Sequence, residues 1–137
     1  MGLILDTSVV VAVERRGKSP SVSFTEIARA AGNIEVAVSV LTIFELMHGV
    51  ERARTEEQSR RQLGFVDILC QGLTVFPITV EIARMAGRIE GSLAKKGIAI
   101  ALDDLLIGAT ALFLNFGVAT LNVKHFAQIP GLVVTVL

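Results

Sequence analysis

The chain has 137 residues, enough for one domain that buries roughly two-thirds of the surface its unfolded form exposes, with no need of disulfide or metal staples. Hydrophobic residues make up 52% of it and charged residues 19%, which excludes disorder, while the apolar runs are too short to span a bilayer. Thirteen basic residues offset thirteen acidic ones, so no global positive field marks the chain for nucleic acid and only local patches could do so.

The first residues, MGLILDTS, carry no basic leader, apolar segment or cleavage site of a secretory signal, so a cytoplasmic protein without membrane attachment is expected. Residues 2–5, GLIL, form a short apolar run ending at Asp6, and 8–16 then read as a helix: a strand turning into a helix. Asp6, Thr7 and Ser8 are all good N-cap types, so capping accounts for Asp6 locally. A second helix is expected over 24–31, with Ser23 and Glu26 as a capping box, Gly32 at its far end, and Phe24, Ile27, Ala28 and Ala31 as its buried stripe. Residues 34–40, IEVAVSV, are rich in β-branched side chains and read as a second strand, mostly buried on both faces.

A helix over 43–54 follows, where Thr42 and Glu45 have capping-box spacing. Thr55 and Gln58 repeat that spacing before a helix reaching about residue 70. The single cysteine, Cys70, cannot form an internal disulfide; its apolar surroundings, DILCQGL, predict a core thiol. Residues 73–76, LTVF, make a third strand closed by Pro77. The amphipathic helix over 79–96 then carries Ile82, Met85, Ala86, Ile89 and Leu93 on one stripe and ends at Gly97.

Residues 102–117, LDDLLIGATALFLNFG, have one pair of acids at the front and no other charge. Their apolar positions wrap most of the way round a helix, which must therefore be buried, and Gly108, Ala109 and Ala111 are small enough for close packing. Asp103 and Asp104 fall in its first turn, where free N–H groups and the helix dipole favour negative charge. A carboxylate there is also held rigidly at the edge of a core, as a metal or catalytic site requires. A stub of strand at 118–120, a connection over 122–128 and a closing strand over 132–136, LVVTV, complete the series.

Five short apolar strands alternating with helices imply an α/β fold, a single domain over 1–137 with a mainly parallel sheet and helices on both faces. In a parallel sheet the strands end at one edge, outside which ligands bind. Asp6 follows the first strand, Glu45 lies just after the second, Asn122 just after the fourth, and Asp104 begins the helix feeding the fourth. Capping accounts for each acid separately, but not for their gathering at one end of an apolar scaffold. Three carboxylates in one crevice repel and raise their own pKa values unless a cation compensates. Oxygen donors without clustered His or Cys suit Mg²⁺ or Mn²⁺. Such an ion polarises a phosphoryl oxygen and lowers the pKa of an attacking water, so the chemistry implied is hydrolysis of a phosphate ester. His48 and His125 have no ligand-spaced partner and read as surface or packing residues.

The strings LILDTSVV, SVLTIFELMHG, DDLLIGATAL, ATLNVKHF and IPGLVV, in that order and over essentially the full length, resemble the PIN-domain ribonucleases, specifically the VapC-type toxins of toxin–antitoxin pairs. The resemblance implies a Mg²⁺- or Mn²⁺-dependent endoribonuclease. It places the catalytic and metal-binding acids on Asp6, Glu45 and Asp104, with Asn122 at the strand-end metal position. It separates Asp104, which directly precedes LLIGATA, from Asp103, which becomes a supporting neighbour. The family's hydroxyl beside the first acid falls on Thr7 and Ser8, with Ser8 the favoured contact. Where many relatives carry a fourth carboxylate this chain has the neutral Asn122. The partners implied are RNA, a small VapB-type antitoxin and a second copy of the chain in a homodimer. Two other readings compete. One is a phospho-accepting aspartate domain of the receiver or haloacid-dehalogenase kind, against which stands the absence of a DxD after the first strand. The other is a degenerate protein-interaction domain, against which three intact acids count.

Overall fold

Strands β1 (Gly2–Leu5), β2 (Glu35–Ser39), β3 (Thr74–Phe76), β4 (Gly117–Thr120) and β5 (Val134–Val136) form a wholly parallel sheet of order β3-β2-β1-β4-β5. Around it lie α1 (Thr7–Arg15), α2 (Pro20–Ala30), α3 (Val40–Glu51), α4 (Glu56–Gly72), α5 (Val80–Ala94), α6 (Leu102–Leu114) and α7 (Val123–Phe126). The structure is a computed structural model describing residues 1–137.

The period of two along the strands divides the core. Leu3, Leu5, Val36 and Val38 face a cluster with Val10 and Val13 of α1, Phe24 of α2, Leu46 of α3 and Phe65, Val66 and Leu69 of α4. Ile4, Ala37 and Val118 point the other way, onto Ile107 and Ala111 of α6 and Phe126 and Ile129 around α7. On α6, Leu105 and Ala109 meet Ile82 and Ala86 of α5. The expected burial of α6 follows from this: one side serves the sheet and another α5. Gly108 lets α6 pack closely there: a Cβ would lie 2.5 Å from Ile129 Cδ1, so the end of that side chain would have to shift. No helix is long and apolar enough to cross a membrane.

The strand order creates the place for a site. From β1 the chain moves outward through β2 and β3, then returns through α5 and α6 to lay β4 against the opposite side of β1. The carboxyl ends of β1 and β4 therefore flank a topological switch point, where open α/β sheets bind ligands.

Several local expectations change. Helix α2 begins at Pro20 rather than at residue 24, because proline is preorganised for the first helical position. Ser23 is consequently inside the helix, buried, with no partner for its Oγ. Likewise α3 begins at Val40, capped by Ser39 Oγ accepting from the Leu41 N–H at 3.1 Å, so Thr42 and Glu45 form no capping box. Thr55 does cap α4, accepting from the Gln58 N–H at 3.0 Å, and Thr79, expected as the first helical residue, instead caps α5, accepting from the Ile82 N–H at 3.2 Å. The central helix stops at Leu114: Asn115 turns left-handed at φ 58° and the Phe116 N–H returns to Ala111 O at 2.8 Å. Asparagine tolerates that conformation, and Gly117 opens β4 instead of ending the helix. Within 122–128 the chain forms the short α7. Cys70 is exposed, not a core thiol. Leu69 takes the buried position, and one residue turns a helix by about 100°.

Candidate active site

Asp6 is the first residue beyond β1, and its backbone N–H donates to Ala119 O of β4 at 2.9 Å, which stitches it into the switch point. It stands at the N-cap of α1, and its carbonyl accepts from the Val9 N–H at 3.0 Å. Its side chain does not cap. Instead Oδ2 accepts from Ser8 Oγ at 2.8 Å and from Thr120 Oγ1 at 2.9 Å, while Asp6 is only 5% exposed. Thr120 Oγ1 in turn accepts from the Asn122 N–H at 2.9 Å, and Ser8 Oγ from the Leu121 N–H at 3.2 Å. Two hydroxyls thus hold one carboxylate oxygen and leave Oδ1 without a hydrogen bond.

Glu45 lies inside α3, and its Oε1 accepts from Thr7 Oγ1 at 2.8 Å. Thr7 Oγ1 is also 2.9 Å from Oγ1 of the buried Thr42. A hydroxyl has a single proton to give, so the order is Thr42 to Thr7 to Glu45. Thr42 and Glu45 are three residues apart and share a helix face, so their spacing serves orientation rather than capping.

Asp104 is in the first turn of α6, with Oδ2 3.2 Å from His125 Nδ1. Asp103 Oδ1 accepts from the Asp104 N–H at 3.0 Å. Asp6, Thr7, Ser8, Glu45, Asp103, Asp104, Asn122 and His125 all line one crevice of about 810 Å³, together with Arg15 and Arg16.

Burial is the main reason that the Glu45 and Asp104 carboxyls titrate above their ordinary range. The charges of Asp103, Asp6 and Asp104 push Glu45 further up, and the Thr7 hydroxyl opposes them. Asp103 and Asp6 do the same to Asp104, against the pull of His125. The crevice therefore concentrates negative charge without enough positive charge of its own. No three acidic, histidine or cysteine side chains converge tightly enough to grip an ion as they stand. Glu45 is turned to Thr7 and Asp104 to His125, which is how mutually repelling acids arrange themselves.

The PIN domain family model matches residues 3–132. The chain belongs to the PIN-domain family. Within it the chain stands with the VapC proteins: Ribonuclease VapC of Rickettsia bellii is 34% identical over 132 residues, 96% of this chain and 93% of that protein. Ribonuclease VapC1 of Rickettsia felis is 35% identical with the same coverage. The crystal structure of VapBC2 from Rickettsia felis, bound to a DNA fragment from its promoter, superposes with a TM-score of 0.83. That match is at 27% identity and covers 100% of this chain and 99% of that one.

In this PIN domain the sequence-derived candidates Asp6, Glu45, Asp104 and Asn122 share one crevice, and Thr7, Ser8 and Asp103 join them. Ser8 touches Asp6, as expected, whereas Thr7 serves Glu45. Three further residues have no site signal in the sequence: Thr42 has capping spacing, Thr120 ends a stub of strand, and His125 has no ligand-spaced partner. His125 meets Asp104 because α7 brings it back over the start of α6, which spacing along the chain cannot reveal.

The shifted acids give the PIN domain a pH dependence of defined sign. Carboxyls raised above their ordinary values of 4.5 and 3.8 bind protons more tightly folded than unfolded, so stability falls as pH rises from those values through the raised ones, and stays lower above them. We expect the melting temperature of chelator-treated protein to drop between pH 4.5 and pH 7, and to drop less in Asp104→Asn. Calorimetry across that range checks it; an unchanged drop in the variant refutes the attribution to Asp104.

Proposed function

We propose that this protein is a divalent-metal-dependent endoribonuclease, the toxin of a toxin–antitoxin pair, with Asp6, Glu45 and Asp104 as its catalytic acids. One observation carries the reading: Asp6 and Glu45 had capping roles open to them in the sequence, yet both face a crevice at the switch point together with Asp104. The names of the VapC relatives supply the substrate class, RNA.

The donor set is all oxygen apart from His125, is overcharged, and lies in a crevice open to solvent, which fits a hard divalent cation. Asp6, Glu45 and Asp104, with the Asn122 amide, would hold Mg²⁺ or Mn²⁺. When bound, such an ion polarises the phosphoryl oxygen and lowers the pKa of the attacking water. The protein's own part is positional. Ser8 and Thr120 fix Asp6 Oδ2 so that Oδ1 is presented to the ligand. The Thr42–Thr7 relay orients Glu45, Asp103 braces the first turn of α6, and Arg15 and Arg16 offer charge to RNA phosphates.

Incubating the protein with total RNA and mapping the cut ends tests the reading. Cleavage should require Mg²⁺ or Mn²⁺ and stop with chelator; cleavage indifferent to chelator, or none at all, defeats it. Asn122→Asp adds a negative charge to the set, so it should lower the metal concentration for half-maximal cleavage. An unchanged or higher requirement means that Asn122 does not face the metal.

The proposed unit is the whole chain, 1–137, acting in the cytoplasm, inhibited by a VapB-type antitoxin as the VapBC structures suggest. It is proposed to work as a homodimer, as the family resemblance implies, with the excess of hydrophobic residues, 52% of the chain, supplying apolar surface for a partner to cover. Light scattering at micromolar concentration should return twice the chain mass; the monomer mass counts against the dimer.

A further inference from the structure

A second groove of about 910 Å³ runs between α1, the turn after it, α3 and α4, and it shares Val11, Arg15 and Glu45 with the acid crevice. The two are therefore continuous. The second groove is lined by four exposed cations, Arg15, Lys18, Arg60 and Arg61. None makes an ion pair within 4 Å: the single one in the whole chain is His125 with Asp104. Nor does any of the four side chains donate a hydrogen bond within the protein. Arg15 and Arg61 both act on Glu14, which places them on the same stretch of groove. The acids there, Glu14 and Glu45, number two against four cations.

Resting on the ribonuclease reading, we infer that the RNA strand leaves the acid crevice along this groove, with Arg60 and Arg61 of α4 as phosphate-binding residues remote from the cut. Unpaired guanidiniums suit phosphates because their donors match two oxygens at once. The order of charge along the path also makes sense for a polyanion. Acids sit where a metal would receive the scissile phosphate, and cations follow where the next phosphates have no metal. Contacts of this kind position the strand without reading its bases, so they supply affinity while the sequence preference is set elsewhere. An acidic peptide could also answer four free cations, but it would gain nothing from continuity with the acid crevice, which repels it.

The test uses fluorescence anisotropy of a labelled, unstructured 12-nucleotide oligouridylate, in chelator so that no cleavage intervenes. Arg60→Gln with Arg61→Gln should weaken binding ~10-fold and flatten the log–log salt dependence by about 1.4, since each lost single-strand phosphate contact removes about 0.7 from the slope. The pair Arg60→Lys with Arg61→Lys should keep the wild-type salt slope but recover only part of the affinity, since the charge stays and the two-oxygen fork is lost. Arg84→Gln with Arg88→Gln, on α5 and outside the groove, should bind as wild type does. The inference is overturned if the Arg60 and Arg61 pair binds RNA as wild type, if the Arg84 and Arg88 pair loses as much, or if a 12-residue polyglutamate binds through Arg60 and Arg61 as tightly as the RNA. Failure of the parent reading looks different. A chain that binds through these arginines but never cuts keeps the groove and loses the nuclease, whereas one that cuts and binds equally well without them loses only the groove.

Discussion

Asp6→Asn and Asp104→Asn should each reduce metal-dependent RNA cleavage by at least on the order of 10²-fold, because even the outer partners of metal ligands cost 10- to 100-fold when removed. Both changes keep the shape of the side chain and delete its charge. Folding should survive them. Asp104 titrates high because burial and the charges of Asp103 and Asp6 oppose its ionisation, so neutralising it relieves repulsion and the metal-free protein should melt no lower than wild type. Asp103→Asn is the control. Its carboxylate braces the Asp104 N–H at 3.0 Å, a contact the amide oxygen can still make, and its cleavage rate should stay near wild type. Initial rates at saturating Mn²⁺, with melting curves alongside, decide the matter. Wild-type rates in Asp6→Asn or Asp104→Asn, or an equal loss in Asp103→Asn, would overturn the assignment.

Thr120→Val should be the most damaging small change to stability in the site. The side chain is fully buried, and its hydroxyl serves two partners at once, donating to Asp6 Oδ2 at 2.9 Å and accepting from the Asn122 N–H at 2.9 Å. Valine has nearly the same volume, so packing is kept while a buried carboxylate loses one of its two donors and a backbone N–H loses its acceptor. Loss of the charge-assisted bond to the buried carboxylate costs about 1.5–3 kcal/mol, while the N–H of the exposed Asn122 can turn to water. Thr110→Val calibrates the measurement. Thr110 is equally buried, but its hydroxyl only returns to Leu106 O at 2.8 Å within the same helix. That carbonyl is also within reach of the helix's own N–H ladder, so the loss should be under about 1 kcal/mol. Denaturant unfolding of the two variants should separate them clearly. If Thr120→Val costs no more than Thr110→Val, the hydroxyl does not hold Asp6. The same variant should also lower cleavage, since Asp6 would keep only Ser8 as an anchor.

The elements whose signals lie in consecutive residues were legible without coordinates. The apolar runs of β1 and β2, the buried stripe of α5, the cap at Thr55 and the close-packed α6 depend on periodicity and on contacts three or four residues apart, which the chain's own order displays. So was the gathering of Asp6, Glu45, Asp104 and Asn122 at one edge, because a parallel sheet puts every strand's end on the same side. Other features were decided only when the chain closed on itself. Ser23 and Thr42 carry the same capping-box spacing as Thr55, yet neither caps: α2 already begins at Pro20 and α3 at Val40 behind the Ser39 cap, so both hydroxyls lie buried inside their helices. Cys70 took the solvent side of α4 because Leu69 took the core. The order that makes β1 and β4 neighbours, the Thr7–Glu45 bond across 38 residues, the Thr120–Asp6 bond across 114 and the return of His125 to Asp104 have no local signature. The physical reason is one of range: periodicity and capping energies act within a turn or two of helix. Which distant hydroxyl meets which carboxylate is settled by the packing of two cores on opposite faces of the sheet.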